Sequence, residues 1–196
     1  MEDKINIGNL SKELNPSDIK FLPKQTIKYG DSCYCILIPY KTSRIDMVRL
    51  DDVCGMYWQN EFKRDSQGIL QGGIGIYQHE TSEWIWRWSN GVPSQFEKEK
   101  GEYSDAFKRA GFMWGIGREL YLYPKIGITL NDSEYSMNDK DKAVIKPAFL
   151  KKLDDWVWII KKTESGKYWV VGSQWYGQKK VVRCDTNPLE SKNPRN

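Results

Sequence analysis

Histidine is almost absent from this chain: His79 is the single example in 196 residues. That excludes a Ser-His-Asp or Cys-His nucleophilic pairing, because His79 falls in an expected turn among polar neighbours. Cysteine is scarce too. Of the four, Cys33, Cys35, Cys54 and Cys184, only the first two are closely spaced, and a zinc site needs a second such pair. Free thiols in a reducing cytoplasm are the expectation. There is no Gly-Lys-Ser/Thr loop, so ATP hydrolysis is not indicated. Gly72, Gly73 and Gly75 lack both the spacing and the following helix of a phosphate loop, and predict a flattened or bulged strand instead. The carboxylate pairs Asp51-Asp52 and Asp154-Asp155 are adjacent, so their side chains diverge and neither suits a two-carboxylate metal site. No apolar run is long enough to span a bilayer, and Met1-Glu2-Asp3-Lys4 is not a signal sequence. These absences predict a binding protein rather than an enzyme, with no cofactor, no metal and no membrane partner.

What the chain does have is aromatic surface. Aromatic residues make up 13%, with nine tryptophans, against a mild net charge of +4. Such a balance permits nucleic-acid binding through a local basic patch without requiring it. The 39% hydrophobic and 29% charged fractions predict a single globular domain over residues 1–183, with residues 184–196 as a disordered tail.

In chain order, Asn15-Pro16-Ser17-Asp18 opens a short helical turn, and Cys33 to Pro39 reads as a buried strand. Thr42 or Ser43 caps a helix running to Cys54, with Ile45, Val48, Val53 and either Met47 or Leu50 as its apolar stripe and Gly55 as its stop. Tyr57–Arg64, Ile69–Gln78 and Glu83–Ser89 form an antiparallel meander. In its last strand Trp84, Trp86 and Trp88 share one face. They stack on nucleobases or pack against the helix that follows, and the preference of large aromatics for cores favours packing. Asn131 to Lys142 is expected as a loop. Asp154–Lys162 and Tyr168–Gln174 form a hairpin whose first strand is apolar on both faces, which predicts burial on two sides. Lys179, Lys180 and Arg183 beyond it contact DNA or keep an edge soluble.

The stretch from Gly101 to Pro124 has helical periodicity. Ser104 and Asp105 are capping residues and Pro124 is a stop. Ala106, Phe107, Ala110, Met113, Trp114, Gly117, Leu120 and Tyr121 fall on one arc, and the small residues among them allow another backbone to come close. Lys108 projects opposite, with Arg109 and Arg118 at the flanks, an arrangement suited to an anion.

Ser104-Asp105-Ala106-Phe107-Lys108-Arg109-Ala110, with Trp114-Gly115-Ile116-Gly117-Arg118 and Leu120-Tyr121, resembles the signature of phage Sak-type single-strand annealing recombinases. These are relatives of the eukaryotic Rad-fifty-two repair family. Tyr40, Arg44, Arg49-Leu50-Asp51-Asp52-Val53, Gly55 and Trp58-Gln59 resemble a second part of the pattern in the family's order. Together they cover about residues 21–124, which leaves a hairpin at about 154–183 outside the resemblance. The resemblance implies an α+β fold: an antiparallel sheet, meander plus hairpin, packed on a central long helix, with subunits assembled into a homo-oligomeric ring or filament. It implies DNA-binding roles for Lys108 and Arg109 and for Arg44, with Arg49 as its alternative. Arg118, Lys98 and Lys100 are secondary candidates. The implied function is ATP-independent binding and annealing of single-stranded DNA in homologous recombination and repair. The setting would be the cytoplasm of a bacterial host, with a single-strand-binding protein or an exonuclease as further partners. Two other readings remain: a single-stranded DNA or RNA binding module that does not anneal, and a protein-interaction adaptor.

Overall fold

The computed structural model describes residues 5–92 and 98–187, with the backbone alone for 98–100. In chain order the strands and helices are β1 (Lys20–Tyr29), β2 (Ser32–Tyr40), α1 (Ser43–Cys54), β3 (Trp58–Arg64), β4 (Leu70–Gln78), β5 (Glu83–Asn90) and α2 (Lys98–Met113). They continue with β6 (Ile126–Leu130), β7 (Tyr135–Met137), β8 (Ala143–Ile145), α3 (Pro147–Leu153), β9 (Val157–Lys162), β10 (Tyr168–Tyr176) and β11 (Lys179–Asp185). The class is α+β, and every strand pair among the described residues is antiparallel. The chain divides into two compact units. The first takes the residues up to Asp18 and Lys41–Glu119; the second takes Ile19–Tyr40 and everything from Leu120.

In the first unit β3, β4 and β5 form the expected meander, in that spatial order. Helix α2 lies across one face of it. Gly72 brings the backbone of β4 against Ala106, where a Cβ would come within 2.9 Å of the alanine. The Trp114 indole, just past the helix, donates to the Ile74 carbonyl at 2.9 Å. The strip of small residues therefore does what its spacing predicts, allowing helix and sheet backbones to approach.

The helix bounds differ from expectation. Helix α2 begins at Lys98, so Ser104 and Asp105 lie inside it rather than capping it. Ser104 Oγ donates to Ser43 Oγ on α1, and Asp105 accepts from the Val92 N–H and from Arg109. The helix stops after Met113, because Gly115 (φ +100°) and Gly117 (φ +76°) adopt left-handed conformations that end it well before Pro124. Met113 and Tyr121, expected on the buried arc, are consequently 47% and 75% exposed.

Helix α1 starts and stops as predicted, with Thr42 at its N-cap and Gly55 at its C-cap. Its buried stripe is another matter. Asp46, Leu50 and Cys54 are buried, one turn apart, while Met47 and Val48 are exposed. The expected stripe fails because a charged residue occupies the core position, for which Lys41 supplies the compensating charge.

In the second unit β2 sits between β1 and β6, and Cys33, Cys35 and Leu37 face Leu130, Ile128 and Ile126 across the ladder. All six are buried, which is the alternation a half-buried strand requires. The hairpin β9–β10 forms as expected, and β11 adds a third strand on its other edge. Three further expectations are corrected. Residues 131–142 are not a plain loop, since β7 lies there and pairs with β8. The first hairpin strand is not buried on both sides: Val157 and Ile159 are 39% and 42% exposed, whereas Trp156 is buried. Arg183 is not a solvent-facing cation. Its guanidinium donates to Glu134, Gln174 Oε1, the Tyr176 hydroxyl and the Thr129 carbonyl, 5.1 Å from the Trp156 ring. Residues 188–196, most of the expected tail, lie outside the described residues.

Candidate nucleic-acid interface

Two helices of the first unit bring the sequence-predicted cations together. Thr42 has the extended backbone of an N-cap, but its side chain makes no capping hydrogen bond; the Ile45 N–H donates to the Thr42 carbonyl at 3.1 Å, and the N–H groups of Ser43 and Arg44 keep their capacity for an anion. Arg44 stands in that turn, exposed, with no hydrogen bond or ion pair among the described residues. The contact between Ser43 and Ser104 sets α2 beside this turn. Lys108 follows Ser104 by four residues and so lies on the same helix face. It is half-buried and makes no hydrogen bond or ion pair among the described residues, though its charge acts to lower the pKa of the buried Asp46 carboxyl. Arg109 is exposed on the next ridge, held by Asp105 at 2.7 Å.

The remaining candidates are placed differently. Arg49 points its guanidinium at the carbonyls of Asn9, Leu10, Lys12 and Glu13, at 3.2, 3.5, 2.7 and 3.3 Å, and so ties the amino-terminal segment to α1. Arg118 folds back on the end of α2 and donates to the Phe112 and Met113 carbonyls, each at 2.8 Å. Both are engaged by backbone carbonyls. The side chains of Lys98 and Lys100 lie outside the described residues.

Beneath the cation cluster lies a pair that sequence reasoning missed. Lys41 and Asp46 form an ion pair with both side chains fully buried. The Lys41 ammonium also donates to the Lys108 carbonyl at 3.3 Å and sits 4.2 Å from the Phe112 ring centroid. One buried amine thus joins the first turn of α1 to the Lys108 turn of α2. A Cβ at Gly111 would collide with the Asp46 carboxylate, so that glycine is what lets α1 and α2 close around the pair. Burial pushes the Asp46 carboxyl up to about 6, against the lowering influence of Lys41, and burial lowers Lys41. The only available signal was a lysine five residues before an aspartate, which thousands of surface pairs share.

The other face of the meander is aromatic. Directly paired residues share a face, and the cross-strand rows there are Gln59–Gly75–Trp86 and Glu61–Gly73–Trp88, flanked by Tyr77–Trp84. The three tryptophans share a face as predicted, but it is the face opposite α2, which overturns the expectation that they pack on the helix. A Cβ at Gly73 would meet three Trp88 ring atoms at 2.7–2.8 Å, and one at Gly75 would meet Trp86 at 2.8–3.0 Å. Each indole therefore lies flat over a glycine. The glycines clear a floor for the rings, and the strand pairs in regular register without a bulge.

Burial raises Cys35 to about 12 and Cys54 and Cys184 to about 11, which keeps those thiols protonated. Among the described residues no group of three His, Cys, Asp or Glu side chains could hold a metal ion, and no helix is long and apolar enough to cross a membrane. No family model, curated protein or solved structure matches the chain.

Proposed function

We propose that the chain binds single-stranded DNA along the α1–α2 surface and promotes annealing of complementary strands without ATP, as the resemblance of its motifs to annealing recombinases implies. The observation that carries this reading is the uncapped N-terminus of α1 beside the Lys108 ammonium and the Arg44 guanidinium, neither of which makes an ion pair among the described residues. A phosphate there meets first-turn N–H groups and two cations, and Arg109 addresses the next phosphate along α2. No group in this arrangement reads a base edge, so strand pairing itself supplies sequence specificity. Assembly into a homo-oligomer would let such short sites run together along one strand, and a single-strand-binding protein or exonuclease would supply that strand.

Annealing of two complementary oligonucleotides without ATP tests the reading, with binding titrated against salt. The wild type accelerates annealing. The Lys108→Ala/Arg109→Ala variant loses affinity, and its log–log salt dependence becomes shallower by about one to two. A wild-type protein that binds no single strand at any salt concentration overturns the function. An unimpaired double variant overturns the site.

A further inference from the structure

We propose that the exposed face of the β3–β4–β5 sheet, tiled by Trp86 and Trp88 with Trp84 at its margin, is a base-stacking platform for single-stranded DNA. It is distinct from the α1–α2 phosphate site, and the choice of ligand rests on the function proposed above.

Gly73 and Gly75 stand directly opposite Trp88 and Trp86, and any larger residue would lift the rings off the sheet. The two indoles lie 5.4 Å apart between centroids and within 21° of one another, so they present adjacent, nearly parallel π-faces outward. Trp84 extends this surface and is 39% exposed, leaning edge-on against Tyr77 at 5.5 Å. Flat rings with one face against backbone accept flat partners on the other, and every nucleobase has a π-face.

Charge indicates which flat partner. The Lys63 ammonium sits 3.7 Å from the Trp88 ring centroid and has no carboxylate partner among the described residues. A cation held over the outer face of Trp88 matches a ligand that alternates negative charge with flat rings, as a nucleic-acid strand does: a phosphate draws the ammonium aside and a base takes its place on the ring. Glu61 lies on the same face, in the Gly73–Trp88 row. Its carboxylate repels phosphate and accepts from base N–H groups, the thymine N3–H included, so the strand runs with its phosphates toward Lys63 and its bases toward Glu61. Gln59, Gln71 and Asn90 add amides to the same face.

The test compares a thymidine oligonucleotide with an abasic oligonucleotide of equal length, using the full chain. The platform predicts that wild type prefers the thymidine strand by about tenfold. Trp86→Ala and Trp88→Ala should bring the two affinities together, with affinity for the abasic strand and its salt dependence retained. Trp86→Leu keeps the glycine floor covered by an apolar side chain and should lose the preference too, which guards against a folding defect in the alanine variants. A preference that survives in all three variants overturns the platform. So does equal wild-type affinity for both strands, an outcome that leaves the α1–α2 site standing. Failure of wild type to bind either strand overturns the proposed function and this assignment with it. If the tryptophan variants instead change the oligomeric mass while the preference stays, the face belongs to a second copy of the chain and the platform is overturned.

Discussion

The chain contains the same tryptophan device twice, with different neighbours. Trp86 and Trp88 in the first unit are two residues apart and stacked at 5.4 Å, above Gly73 and Gly75. Trp156 and Trp158 in the second unit have the same spacing and stack at 5.5 Å, and Trp158 lies over Gly172 of the neighbouring strand. In the second unit Trp156 is buried, while Trp158 is half-buried, as Trp86 and Trp88 are. Phe21 of β1 lies 4.1 Å from Trp158, while Phe149 of α3 and the Arg183 guanidinium flank Trp156 at 6.1 and 5.1 Å. In the first unit the covering group among the described residues is the Lys63 ammonium. The local pattern specifies flat indoles on a glycine floor, and the partner that comes from far away in the sequence decides what packs on them.

Buried charge repeats the contrast. Glu134 and Arg183 satisfy each other through two hydrogen bonds, and the carboxylate also accepts from the Asn131 N–H. Burial acts to raise Glu134, but the Arg183 and Asn131 hydrogen bonds outweigh it, and its pKa falls below the usual carboxylate value. Asp46 has Lys41 on one oxygen, while Oδ2 accepts nothing from the described residues, and burial prevails. The two units therefore hold their internal carboxylates in opposite senses.

The largest expected effect comes from breaking the pair in the first unit. Lys41→Ala leaves Asp46 buried without a countercharge and should cost about 3–5 kcal/mol in urea unfolding. Exchanging both partners for apolar residues of similar volume should recover most of it, since the loss arises from the orphaned charge. Next, Trp156→Ala should cost about 3–5 kcal/mol, as for a packed core tryptophan, and Trp86→Ala only about 1–2 kcal/mol, because it is half-buried. Equal losses would mean that the two faces are covered alike.

The smallest effect is a pH signature, and its sign differs between the units. Asp46 titrates higher when folded, so between its ordinary 3.8 and about 6 the folded state holds the extra proton and stability falls as pH rises. Glu134 titrates lower when folded, so its contribution is present above the ordinary 4.5 and is lost as pH falls through the depressed value. Thermal midpoints followed across pH 3–7 should lose the falling limb in Asp46→Asn and the acid limb in Glu134→Gln. A slope that Asp46→Asn leaves intact would assign it to another group.

Much of the framework was legible in the chain. The meander, the hairpin β9–β10, the bounds of α1 and the buried β2 all rest on local signals: alternation, caps and turn residues. The start of α2 misled because Ser104 and Asp105 are good capping residues that here serve other partners, Ser43, Val92 and Arg109. The cations show the same limit. Arg44, Arg49, Lys108, Arg109 and Arg118 look alike in one dimension, and only their surroundings separate Arg49 and Arg118, bound to carbonyls, from Arg44 and Lys108.

The sequence by itself determined the α+β class, the positions of most strands, the alternation that places three tryptophans on one strand face, and the glycines that clear space beneath them. These follow from properties of neighbouring residues, whose backbone geometry is short-ranged. Tertiary structure alone decided which face α2 would cover, that Lys41 would neutralise Asp46 inside the core, and that Phe21 and Phe149 would pack on one tryptophan pair while Lys63 lies over the other. Those outcomes depend on which surfaces meet, and burial energy and desolvation act between residues that share no pattern in the chain.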